Sequence, residues 1–117
     1  MIADILIVLI AALHAYILVL QMVLWTKPAG RRAFRLSPEF AESSKVLAAN
    51  QGLYNGFLAA GLIFALSQGD GQRSVAIFFL GCILVAGVFG AATASRKILF
   101  IQAVPALAAL IAVFAGV

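Results

Sequence analysis

Seven uncharged polar side chains interrupt an apolar sequence and are its foremost candidates for recognition chemistry: His14, Gln21, Asn50, Gln51, Tyr54, Asn55 and Gln102. His14, Leu18, Gln21 and Trp25 follow spacings of four, three and four, so they share one helix face; Gln51, Tyr54, Asn55 and Leu58 share another, with Asn50 to one side. Amides both donate and accept hydrogen bonds, and inside an apolar helix they are costly unless partnered, so they must face protein or a hydrated cavity. Counted inward from the basic chain segments at ~1.5 Å per residue, Gln21, Asn50, Gln51 and Gln102 lie at a depth of ~6–9 Å, and His14 and Asn55 near ~15 Å. This pattern predicts a polar pocket that binds a lipophilic or amphipathic small molecule. The plainer alternative is that the amides tie helices together, each bond contributing ~0.6 kcal/mol.

Other chemistry is poorly supplied. A lone His without a nearby Asp, Glu, Cys or second His is a poor metal site, since the common sites need three or four ligands, and no metal is expected. His14 could act as a general acid or base, because its pKa lies near neutrality. Burial with Asn55 or Tyr54 as partner is the simpler expectation. The single cysteine, Cys82, excludes an internal disulfide and sits in the middle of an apolar run, where packing explains it. Catalytic residues stay unassigned, because no nucleophile, base and acid fall into a recognisable arrangement, and no phosphate loop or haem motif appears.

The elements that must position these residues are apolar stretches: residues 2–25, 46–67, 74–93 and 98–117. Each is about the ~20 residues that cross a ~30 Å hydrocarbon core. With 65% apolar and 10% charged residues, the chain of 117 residues reads as one transmembrane domain, all-α, an integral membrane four-helix bundle. Seven of its eight Lys and Arg residues fall in 26–45 and 94–97. Loops rich in Lys and Arg face the cytoplasm, so the first loop (Lys27, Arg31, Arg32, Arg35, Lys45) and the third (Arg96, Lys97) are expected there, with both termini outside. A multi-pass place in the bacterial inner membrane follows, with the pocket in its cytoplasmic half. The net charge of +4 calls for acidic lipid headgroups, and nothing interleaves aromatics with bases as nucleic-acid binding would. The N-terminus lacks a positive n-region and reads as a retained helix, not a removed signal.

Local signals set the boundaries. Ser37-Pro38-Glu39 combines a hydroxyl cap, a first-position proline and a first-turn acid, so a helix should begin there and project from the bilayer. Residues 68–72 form a tight polar turn. Gly52, Gly56 and Ala60, and likewise Ala86 and Gly90, form small-residue ridges that admit another helix and predict oligomerisation through the second and third spans. Pro105 should bend the fourth span and release the carbonyl of Ile101.

Leu13-His14-Ala15-Tyr16, Gln21, Trp25 and the run from Asn50 to Gly61 resemble the small four-helix bacterial membrane family catalogued as domain of unknown function 1304. More distantly, Arg31-Arg32-Ala33-Phe34-Arg35-Leu36-Ser37-Pro38 and Ala49-Asn50-Gln51 resemble the superfamily of membrane-associated proteins in eicosanoid and glutathione metabolism. That resemblance implies a trimer, a glutathione-dependent transferase or isomerase activity, and glutathione as the one cofactor to consider; the residues themselves call for none. With Asn50 aligned on the superfamily's helix-2 Asn, Val46 and Leu53 stand where its Arg and Glu would, Thr93 lies near a further Arg position, and Arg31 and Arg32 are the matching charges. A small-solute transporter is a third reading, although no intramembrane charge or inverted repeat supports it.

Overall fold

The computed structural model describes residues 1–117, which fold into helices without strands. The order is α1 (Ile2–Met22), α2 (Pro28–Phe34), α3 (Pro38–Leu66), a 3-10 turn (Gly69–Gly71), α4 (Gln72–Thr93), a π turn (Leu99–Ala103) and α5 (Val104–Ala115). Two helical stretches, Ile2–Met22 and Gly69–Thr93, are long and apolar enough to cross a membrane, and Leu99–Ala115 is a shorter apolar helix. α3 has the length, 29 residues or roughly 44 Å at ~1.5 Å each, but Asn50, Gln51 and Asn55 and a charged beginning dilute its apolar character.

The first helix stops at Met22, three residues short of the expected Trp25, and part of the expected loop is helical. α2 starts with Pro28 at a position where no amide is needed and φ is already set. It ends at Arg35, which takes the left-handed conformation (φ 54°) so that its N–H and that of Leu36 both return to the Arg31 carbonyl. α3 begins where its local chemistry says it should. The Ser37 hydroxyl accepts the Phe40 N–H at 3.1 Å, and the Ser37 carbonyl accepts the Ala41 N–H at 3.0 Å.

Side-chain size is distributed inside out. Ten of the eighteen buried apolar residues are alanine, whereas eight of the nine phenylalanines are exposed. A water-soluble core normally takes the large aromatics and leaves small residues to fill gaps. Here the small residues let backbones approach, and Phe57, Phe64, Phe78, Phe89, Phe100 and Phe114 point outward.

The chain divides into two compact units, residues 12–59 and residues 1–11 with 60–117. In the first, α1 and α3 pack through the glycines of α3. A Cβ on Gly52 would lie 2.6 Å from Met22 Cγ and 3.0 Å from Gln21 Cβ, and one on Gly56 would lie 2.6 Å from Leu18 Cδ1. The ridge expected to face a second copy is therefore filled by α1 of the same chain. α2 folds back on the turn before it just as closely: a Cβ on Gly30 would meet the Leu24 carbonyl oxygen at 2.0 Å.

In the second unit, α4 packs against the π turn and α5. Gly87 allows this, since a Cβ there would lie 2.7 Å from the Ala103 amide nitrogen. Pro105 has no N–H to offer Ile101, and the backbone accommodates the loss one turn earlier, where the Val104 N–H reaches five residues back to the Leu99 carbonyl. The expected fourth span is thus a π turn followed by α5. One end of this unit is latched: the Ile2 N–H donates to the Val117 carbonyl at 2.8 Å, Gln72 Nε2 donates to Asp4 Oδ1 at 2.6 Å, and Arg73 donates to the Val113 carbonyl at 3.1 Å while covering the Phe114 ring.

Candidate functional site

Within residues 12–59 a groove of about 360 Å³ opens beside the end of α1, lined by Gln21, Met22, Val23, Trp25, Thr26, Lys45, Val46 and Ala49. Its walls are held from behind. The Trp25 indole N–H donates to Ser44 Oγ at 3.0 Å, and its ring rests against Phe34 with centroids 4.9 Å apart, so α2 and α3 together fix the indole. Gln21 Oε1 accepts from Asn55 Nδ2 at 2.8 Å, and the same amide donates to the Gln51 carbonyl at 3.1 Å. With its oxygen engaged, Gln21 keeps its NH2 group as the available part of the side chain. Lys45 pairs with Glu42 one turn earlier on α3, but both are well exposed, so the pair is screened and the ammonium remains available.

The helix end adds acceptors. α1 terminates through Val23 and Leu24 N–H groups that both bond the Val19 carbonyl, and no backbone donor reaches the carbonyls of Gln21, Met22 or Val23. The residues that line the groove therefore bring an ammonium, an amide donor, a threonine hydroxyl and carbonyl oxygens without a backbone donor, together with the apolar side chains of Met22, Val23, Val46 and Ala49, which form its floor.

The polar residues predicted from sequence are placed differently from one another. Gln21 lines the groove, and Asn55 stands behind it as the group that orients it. Depth counting set Asn55 level with His14; the structure bonds Asn55 to Gln21 instead, because the Gly52 and Gly56 contacts with Gln21 and Leu18 fix the register of α3 on α1. His14 is fully buried and has an interaction partner. Asn50, Gln51 and Tyr54 are exposed on α3, Tyr54 with its ring edge-on to Phe57. Gln102 is half-buried in the π turn, in the other unit. In the basic segment Arg32 and Arg35 are exposed, whereas Arg31 is half-buried with a shielded, unpartnered Nε. Thr26, Lys45 and Ser44 were not singled out as site residues. The signal was available in part, since Lys45 and Thr26 are the polar residues nearest the inner ends of the first two spans.

No three His, Cys, Asp or Glu side chains come together to hold a metal ion. A second concavity, about 320 Å³, lies at the latched end of the other unit, where Asp4, Asp70, Gln72 and Arg73 supply its polar lining. Asp4, Gln72 and Arg73 are already engaged in holding that end together.

The family described as protein of unknown function (DUF1304) matches this chain over residues 8–114. The chain belongs to that family. Among curated proteins, the DUF1304 chain is 33% identical over 108 residues to an uncharacterized protein, YpaA, of Lactococcus lactis subsp. lactis (strain IL1403), covering 91% of each chain. No solved structure matches it. The match takes in α1 from Val8, the whole of α2, α3 and α4, and α5 to Phe114, so both the groove and its supports lie inside the matched residues.

Asn55→Leu separates support from lining. It removes the donor to Gln21 without touching the groove surface, and should lower stability by about 1 kcal/mol, the usual value of a hydrogen bond of this kind. Thermal melting in detergent measures it. An unchanged midpoint would show that Gln21 is held by something else.

Proposed function

We propose that this DUF1304 protein is a multi-pass membrane protein of the bacterial inner membrane that binds a lipophilic or amphipathic small molecule in the groove beside Trp25. The observation that carries this reading is the groove itself: an apolar floor, a rim of Lys45, Thr26 and the Gln21 amide, and a tryptophan wall fixed by Ser44 and Phe34. Such a surface matches a molecule with an apolar body and a polar head. The outward phenylalanines and alanine interior support immersion in lipid, where helices associate through small residues. In this reading the four apolar stretches span the bilayer, the basic segments 26–45 and 94–97 face the cytoplasm, and the groove lies near the cytoplasmic surface.

Native mass spectrometry of the full chain in mild detergent tests the binding. Wild type should carry a co-purifying amphiphile, and Ala49→Phe, which fills the floor, should lose it. A wild-type protein that carries nothing, or a variant that carries the same molecule, rejects the reading. Orientation has its own test. In a Cys82→Ser background, Asp70→Cys should react with an impermeant thiol reagent on whole cells and Ala33→Cys should be protected; the reverse pattern would overturn the topology.

Oligomerisation remains part of the proposal, with a different face. Asn50, Gln51 and Tyr54 are exposed on α3 while Gly52 and Gly56 are occupied. Amides at membrane depth need partners, so a second copy is best placed over this polar face. A glutathione-dependent activity has less support. Val46, in the position of the superfamily's Arg, is an exposed apolar residue on the groove, and Leu53, in that of its Glu, is exposed and apolar too.

A further inference from the structure

We infer that the ligand is an anionic amphiphile whose head also carries hydroxyl groups, a phosphoglycerol-type headgroup, seated in the groove between the end of α1 and the Lys45 turn of α3. The inference rests on the binding role proposed above and adds the chemistry of the head.

Three features select that chemistry. First, the donors at the rim, the Lys45 ammonium, the Gln21 NH2 and the Thr26 hydroxyl, suit a negatively charged oxygen, and charge-assisted hydrogen bonds to such an oxygen are about twice as strong as neutral ones. Glu42 shares Lys45 but does not occupy the groove, so an anion can add to the pair. Second, the carbonyls of Gln21, Met22 and Val23 are acceptors without a backbone donor. A phosphate or carboxylate alone has nothing to give them, and their partial negative charge would repel it. A hydroxyl on the same head donates to them. Third, about 360 Å³ equals some twelve waters at ~30 Å³ each, enough for a compact head and the start of an acyl chain but not for a whole two-chain lipid. The chains would continue over exposed Val46 and Met22 into the surrounding lipid.

The groove therefore reads two properties of the head at once, through different elements. α3 and the Gln21 side chain read charge; the carbonyls at the end of α1 read hydroxyl hydrogens. A choline head offers the phosphate but no hydroxyl donor, and its bulky cation would meet Lys45.

Full-length protein in neutral detergent, titrated with phosphatidylglycerol, phosphatidic acid, phosphatidylcholine or glycerol 1-phosphate and followed by thermal shift and native mass spectrometry, tests this. Phosphatidylglycerol should bind at least about tenfold more tightly than phosphatidylcholine, the scale of one charge-assisted hydrogen bond, and more tightly than phosphatidic acid. Glycerol 1-phosphate, the same chemistry without a lipid, should bind measurably only if the free solute is the source. Lys45→Met and Gln21→Leu should each weaken phosphatidylglycerol binding by about tenfold, and Ala49→Phe should abolish it. Lys45 is exposed and outside the glycine-mediated packing, so its replacement leaves the fold standing. Equal binding of phosphatidylglycerol and phosphatidylcholine, both abolished by Ala49→Phe, overturns the head chemistry while leaving the binding role intact. Phosphatidylglycerol binding that is lost in Arg31→Gln but unchanged in Lys45→Met and Ala49→Phe places the anion on α2 and overturns the site. Retention of no amphiphile at all fails the binding role itself.

Discussion

Gly87→Leu should unfold the protein or leave it misassembled in detergent, with a loss of about 3 kcal/mol or more, the upper end of the range for overpacked interiors. The reason is what the new side chain would meet. Its Cβ alone would lie 2.7 Å from the Ala103 amide nitrogen and 3.0 Å from the Ala103 Cα, and these backbone atoms belong to the π turn. Val104 already reaches five residues back to Leu99 there, and Pro105 prevents the turn from rewinding as α-helix, so the backbone has no alternative hydrogen-bonding arrangement to adopt. Gly56→Ala is the control. Its Cβ would meet Leu18 Cδ1 at 2.6 Å, the far end of a flexible side chain, which can change rotamer at a cost of about 1 kcal/mol. Circular dichroism melts of the two variants should differ by well over the error of the measurement. Equal melts would mean that the α4 contact with the π turn yields as readily as a leucine side chain.

Gly30→Ala should have the second-largest effect, and it falls on the groove. One methyl placed 2.0 Å from the Leu24 carbonyl oxygen and 2.9 Å from the Trp25 Cα forces α2 away from the turn that precedes it. Phe34 then leaves Trp25, and the indole loses the wall that holds it towards Ser44. A destabilisation of about 2–3 kcal/mol is expected. Trp25 is the chain's single tryptophan, so its fluorescence reports directly on this site. The emission should shift to the red and become quenchable, and retention of the co-purifying amphiphile should fall. An unshifted spectrum would show that α2 is not what fixes the indole.

How far these features could be read from sequence depended on the distance over which their causes act. The start of α3 was legible because the Ser37 hydroxyl and its target N–H are three residues apart. The proline that disturbs the last helix was legible too, but its remedy was not: a π turn over Leu99–Ala103 depends on Gly87 offering room from another helix. α2 escaped notice because its residues are basic and look like a topological loop, and because the contact that seats Gly30 is tertiary. The polar set was visible as a set. Its pairing was not, since counting residues from charged ends fixes neither the register of α3 on α1 nor helix rotation, and Gln21 met Asn55 where His14 had been expected. Lys45 served as a marker for counting depth, and Thr26 and Ser44 lie in the basic segment that reads as a loop, so nothing local pointed to Lys45 and Thr26 as groove residues or to Ser44 as the partner of Trp25.

An interior built on alanine reverses the usual pattern of mutational risk. In a soluble core of leucine and phenylalanine, truncation opens cavities, and most random changes remove atoms that neighbours were leaning on. A buried alanine has almost nothing to remove. At Ala41, Ala65, Ala76, Ala106 and Ala109, each with no accessible surface, harm can enter only by enlargement. The outward phenylalanines, meanwhile, can shrink without leaving a hole. Across the family, drift should therefore widen on the outside and be confined within to exchanges among glycine, alanine and serine.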